Sequence, residues 1–153
     1  MVGPRASGEV RALDTLPGGG QETVLVAEDE PAVRAIIARA LREYGYRVVE
    51  ARDGVHALEL AQSGPAPPDL VIADVVMPGM GGRQLAAALA QRWSGIPVLF
   101  TSGYTGLDAV RRGMMQEGDE FIQKPLEPEV IARKVRQILD GRNGKAAAIT
   151  GAR

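Results

Sequence analysis

Residues Leu70 to Ile72 form a short apolar run that continues through Ala73, reaches one acid at Asp74 and is stopped by Met77-Pro78-Gly79. Such a run, without polar alternation, is what a parallel strand shows when helices cover both of its faces, and the Pro-Gly pair marks the turn beyond it. Asp74 is therefore predicted at the carboxyl edge of a sheet, where open α/β folds place their ligands. A carboxylate in that position is costly to bury unless a cation or hydrogen bonds hold it. The rest of the chain has to be read for those partners.

The surrounding pattern alternates strand and helix. Thr23 to Ala27 is a strand by its β-branched content, and Glu28-Asp29-Glu30-Pro31 follows it, with Pro31 suited to a first helical turn and Asp29 or Glu30 as the cap. Val33, Ile36, Ile37, Ala40, Leu41 and Tyr44 then recur at helical spacing, and Gly45 ends the helix. Tyr46 to Glu50 is a second strand, and Val55 to Gln62 a short helix with Val55, Leu58 and Ala61 or Leu60 toward the sheet. His56 on that helix has no second ligand candidate beside it and is read as a packing or edge residue. After the central strand, Arg83 to Trp93 is helical with Leu85 and Leu89 inward. Ile96 to Thr101 is the fourth strand, Glu120 to Gln123 the fifth, and Pro128 opens a last helix with Val130, Ile131, Val135, Ile138 and Leu139 as its apolar stripe. Between the last two strands, Thr105 to Gly118 is interrupted by Gly106 and Gly113, which predicts a short or mobile helix.

Strands and helices alternating in this way predict a doubly wound, five-stranded parallel sheet with helices on both faces. The domain runs from residue 22 to residue 141, after a glycine-rich linker at residues 1–21 and before a flexible tail at residues 142–153. A dinucleotide site is excluded, because the first strand-to-helix turn, Ala27-Glu28-Asp29-Glu30, is acidic and lacks the glycines that a pyrophosphate needs.

Composition removes other classes of function. The 153 residues suit one domain, and 45% hydrophobic content supports a core. The 18 basic and 19 acidic side chains leave a formal charge of −1, which offers nothing to a nucleic acid. Cysteine is absent and histidine occurs once, so thiolate chemistry and histidine metal clusters are ruled out within one chain. No apolar run approaches the roughly 20 residues that span a bilayer, so the reading is a cytoplasmic domain without membrane contact of its own, whatever anchors its parent.

In a parallel sheet all strands end on one side. The first strand delivers Glu28 and Asp29, the third Asp74, the fourth Thr101 and Ser102, and the fifth Lys124. Crowded carboxylates repel one another, and a hard divalent cation relieves them; oxygen ligands and water suit Mg²⁺. One carboxylate left free can act as a nucleophile toward phosphorus, with lysine and a hydroxyl meeting the phosphoryl oxygens.

From Glu22 to about Asp140 the chain resembles a response-regulator receiver domain of two-component signalling. The resemblance is carried by Val24-Leu25-Val26-Ala27-Glu28-Asp29-Glu30, Asp69 through Gly82, Ser102-Gly103 and Phe121-Ile122-Gln123-Lys124-Pro125. It implies the flavodoxin-like strand order 2-1-3-4-5 and a phosphorelay function in which a histidine kinase or histidine phosphotransfer domain phosphorylates Asp74 with Mg²⁺. It further implies Asp29 as a direct metal ligand, Glu28 acting through water, and the Val76 carbonyl completing the set. Ser102 takes the part of the switch hydroxyl, Gly103 the small residue beside the pocket, Phe121 the aromatic that changes rotamer, and Lys124 the phosphate-binding lysine. Pro125 matches a proline that follows a cis bond. Leu126 and Gly118-Asp119-Glu120 depart from the commoner pattern on the face that members use for dimerisation, so at most a weak homodimer is implied. Receivers at the carboxyl end of hybrid sensor kinases are the nearest in wording, with a free-standing receiver as the other arrangement. The competing functions are a phosphorylation-independent pseudo-receiver, disfavoured by the complete acidic pocket, and a Mg²⁺-dependent phosphatase, for whose second acid and cap the chain has no room.

Overall fold

The computed structural model describes residues 18–151. Most of the linker read at residues 1–21, and residues 152–153, lie outside the described residues. Five strands, β1 (Thr23–Ala27), β2 (Arg47–Ala51), β3 (Leu70–Asp74), β4 (Val98–Ser102) and β5 (Glu120–Gln123), form one parallel sheet in the order β2-β1-β3-β4-β5. The helices between and after them are α1 (Pro31–Glu43), α2 (Gly54–Ser63), α3 (Gly82–Arg92), α4 (Gly106–Arg111) and α5 (Pro128–Gly151).

Alternation along each strand divides the core into two layers. Val24 and Val26 of β1, with Leu70 and Ile72 of β3, pack against Ile37 and Leu41 of α1 and Ile131, Val135 and Leu139 of α5. The intervening Leu25 and Ala27, with Val71 and Ala73, face Ala57 and Ala61 of α2 and Leu85 and Leu89 of α3. All five residues of β3 are buried, as its unbroken apolar run requires. A smaller cluster of Val75, Phe100, Ala109 and Met115 lies under α4.

Several boundaries and faces differ from the sequence reading. β4 begins at Val98 rather than Ile96 and runs on to Ser102; Pro97 has no amide hydrogen to give to a ladder, and only its carbonyl is used, accepting from the Val71 amide. In α2, Asp53 caps the helix by accepting from the His56 amide at 2.8 Å. That start sends Gly54, Ala57 and Ala61 inward and leaves Val55 exposed. His56 stays local, its Nδ1 accepting from the Arg52 amide. In α5 the buried stripe is Ile131, Ala132, Val135, Ile138 and Leu139, and Val130 falls outside it. In the short α4, Ala109 is buried while Leu107 is exposed. The backbone of α5 remains helical to Gly151, through the stretch read as a tail.

The end of the glycine-rich linker is held against the domain. The Gly20 amide donates to the Tyr44 carbonyl at 3.1 Å, and Arg136 of α5 donates to the Gly19 carbonyl at 3.1 Å and to both Glu22 carboxylate oxygens. Arg136 is thus a clasp between the last helix and the chain that enters β1. Its hydrogen bonds hold the Glu22 carboxyl below its usual value. Glycine is required in this strap: a Cβ at Gly19 would overlap the Tyr44 carbonyl oxygen.

Candidate functional site

The carboxyl ends of β1, β3, β4 and β5 meet at one cavity of about 300 Å³, lined by Asp29, Glu30, Asp74, Val76, Gly103, Tyr104 and Lys124. Asp74 is the last residue of β3, paired with Thr101 of β4. It is buried, which fits the partners it has: the Val76 amide donates to Oδ1 at 3.1 Å, and Lys124 Nζ to Oδ2 at 2.8 Å. Lys124 is brought there by the loop after β5, where its amide donates to the Ser102 carbonyl and the Lys124–Pro125 bond is cis. Gly82, at the start of α3, lets that helix close on the Asp74 carbonyl; a Cβ there would stand 2.6 Å from it.

Glu28 follows β1 and has no exposed surface. Its Oε2 accepts from the Glu30 amide at 3.1 Å. Lys124 Nζ lies 3.1 Å from Oε1, but no hydrogen bond reaches that oxygen, and among the described residues it shares this condition only with the buried Thr101 hydroxyl. Burial pushes the Glu28 carboxyl up to about 7; the Glu30 amide opposes this, the Asp74 charge adds to it, and Lys124 opposes it again. For Lys124, burial disfavours the ammonium, but the hydrogen bond and charge of Asp74, with Glu28, outweigh it and hold the group above its ordinary value.

One oxygen from each of Glu28, Glu30 and Asp74 lies within 4.8 Å of the others. Three converging carboxylates, one with a buried oxygen that lacks a hydrogen-bond partner, are a donor set suited to a hard divalent cation. Sequence reading gave Glu28, Asp29 and Asp74 as the acidic set and left Glu30 as a cap. The structure places Glu30 at the N-cap of α1, yet its side chain makes no cap hydrogen bond and instead turns to Lys124. Asp29 lines the cavity beside this trio. Only the tertiary position of Lys124 separates Glu30 from an ordinary capping acid.

Ser102 is buried, and its hydroxyl accepts from the Tyr104 amide at 2.9 Å rather than facing the cavity. Tyr104, which the sequence reading did not single out, lines the cavity, with the Arg112 guanidinium 4.6 Å from its ring centre. Phe121 is partly buried against the cluster under α4, beside Gly106. No helix among the described residues is long and apolar enough to cross a membrane.

Comparison with known proteins gives a consistent result. Residues 24–136 match the response regulator receiver domain family. The chain is similar to the sensor kinase CckA of Brucella abortus, 37% identical over 90% of this chain and 14% of that protein. It is also similar to the probable transcriptional regulatory protein TcrX of Mycobacterium tuberculosis, 31% identical over 88% of this chain and 56% of that one. Among solved structures, the receiver domain of the hybrid histidine kinase CckA superposes with a TM-score of 0.64 at 38% identity, covering 76% of this chain and 98% of that one. The chemotaxis protein CheY4 of Vibrio cholerae gives 0.69 at 26% identity over 78% and 99%. The chain thus spans about half or less of the full-length relatives named here.

Proposed function

This chain belongs to the response-regulator receiver domain family, and from that premise we propose that Asp74 accepts a phosphoryl group from the phosphohistidine of a histidine kinase or a histidine phosphotransfer domain. The observation that carries the reading is the Lys124 ammonium, 2.8 Å from Asp74 and 3.1 Å from Glu28, at the convergence of three strand ends. In the transfer, the phosphorus–nitrogen bond of the donor breaks as a bond forms to an Asp74 carboxylate oxygen. The imidazole of the donor leaves with the electron pair. Lys124 then exchanges its contact with Asp74 for the phosphoryl oxygens and stabilises their charge.

The ion that would fit this reading is Mg²⁺, which Asp29, Asp74 and the Val76 carbonyl would hold directly and Glu28 through water. When bound, it neutralises charge on the phosphoryl oxygens. The buried Glu28 Oε1, which accepts no hydrogen bond although Lys124 Nζ stands 3.1 Å away, supports this assignment. Ser102 and Phe121 form the switch: the Ser102 hydroxyl leaves the Tyr104 amide for the phosphoryl group, and the Phe121 ring moves into the space vacated beside α4. Gly103 leaves room at the pocket, and Pro125 shapes the Lys124 loop. The receiver unit is residues 22–141, carried within a hybrid kinase polypeptide.

Incubation with a phosphohistidine donor and Mg²⁺ tests the reading. Asp74→Asn is expected to keep the fold and to lose all acid-labile, hydroxylamine-sensitive label. Stoichiometric labelling of that variant would move the acceptor to another residue.

A further inference from the structure

Lys124 offers one ammonium to three carboxylates. Its Nζ stands 2.8 Å from Asp74, 3.1 Å from Glu28 and 3.5 Å from Glu30. The first two are buried on strand ends and are fixed by the sheet. The Glu30 side chain is 64% exposed, sits at the first turn of α1, and gives nothing to the free amides of that helix. An acid at an N-cap ordinarily turns back to those amides. Here the carboxylate is directed to Lys124 instead, at the wall of the cavity through which Asp74 is reached.

We propose that Glu30 is a charge gate: a displaceable carboxylate that occupies Lys124 and screens the site against small free phosphoanions. The inference rests on the reading of Asp74 as phosphoacceptor. A phosphoanion that enters needs the lysine that Glu30 holds, and it must also approach a negative group that has nowhere to go except into solvent. Both effects act before any bond to phosphorus changes. A protein donor meets the same carboxylate, but contacts away from the reacting atoms supply binding energy that offsets the repulsion. Glu30 is in this sense a specificity-determining residue, and it is distinct from Asp29, which the proposed function makes the metal ligand. An exposed carboxylate–ammonium pair changes an equilibrium by a factor of roughly two to five, which sets the size of the expected effect.

The test compares the full chain with its Glu30→Gln variant, which keeps the side-chain shape and removes the charge. Two quantities are read: the Mg²⁺ dissociation constant, by calorimetry, and the acetyl phosphate concentration that half-saturates labelling at saturating Mg²⁺. In Glu30→Gln the half-saturating concentration should fall roughly two- to fivefold at low salt, and the difference should shrink as salt screens the pair. The Mg²⁺ constant should stay within about threefold of wild type, since the proposed ligands are Asp29, Asp74 and the Val76 carbonyl and Glu30 is then only an exposed neighbouring charge, which contributes no more than that order. A tenfold or greater loss of Mg²⁺ affinity would overturn the gate and make Glu30 a metal ligand. An unchanged half-saturating concentration would overturn it as well. Failure of the acceptor reading looks different: the wild-type chain would take no label at any acetyl phosphate concentration, and the gate would fall with it.

Discussion

The Glu28 carboxyl has no exposed surface, and burial moves its pKa from 4.5 up to about 7. In the unfolded chain it releases its proton near 4.5, so between that value and about 7 the folded state binds more protons than the unfolded one. The Glu28 contribution to stability therefore falls as pH rises through this window and is level on either side. The contribution is of the order of 3 kcal/mol, and it runs opposite to Glu22, whose Arg136-bound carboxylate adds stability above 4.5 that is lost on acidification. Urea unfolding of wild type and Glu28→Gln at pH 4.5, 6 and 8, in a chelator, isolates the effect. The variant should gain on wild type as pH rises and be the more stable at pH 8. Parallel profiles would mean that Glu28 ionises in the folded state as it does in the unfolded one.

At the scale of elements, the strap into β1 is where the sequence is most misleading. Gly18-Gly19-Gly20 has the composition of a flexible linker, but its last two residues are tied to Tyr44 and Arg136. The three glycines are unequal. A Cβ at Gly18 meets nothing within 4 Å, whereas one at Gly19 meets the Tyr44 backbone, which cannot rotate away. Gly19→Ala should therefore break the Gly20 and Arg136 hydrogen bonds and cost about 1–2 kcal/mol, with faster hydrogen exchange at the Gly20 amide. Gly18→Ala should leave both quantities unchanged. Equal behaviour of the two variants would show that the strap is not held in solution.

For the molecule as a whole, the site joins β1, β3 and β5, so a ligand bound there links their unfolding. Three carboxylates share one lysine, and a divalent cation that binds only the folded chain stabilises it by about 2.7 kcal/mol at a hundred times its dissociation constant. Thermal unfolding should move upward by several degrees in excess Mg²⁺. Asp29→Ala should remove most of the response while leaving the metal-free midpoint close to wild type, because Asp29 is exposed and lies outside the converging trio. A full Mg²⁺ response in that variant would transfer the ligand role to the Glu28, Glu30 and Asp74 cluster.

The sequence alone determined the architecture and the chemical inventory of the site. An apolar run closing on Asp74 requires a covered parallel strand, and parallel strands bring Glu28, Asp74 and Lys124 to one edge whatever the details of packing. The ends of β1 and β5 were legible to the residue, since turn and β-branched residues bound them sharply. Helix faces were less legible: Val55 and Val130 look inward by hydrophobicity, but the cap at Asp53 and the packing of α5 on α1 give those positions to Ala57 and Ala132. What each site residue touches was decided only by the tertiary structure. Glu30 and Asp29 are adjacent acids of similar chemistry, and no local signal distinguishes a cap, a ligand and a lysine partner. The choice depends on where Lys124 arrives, 94 residues further along the chain, and that position follows from the sheet order and not from any pattern near Glu30.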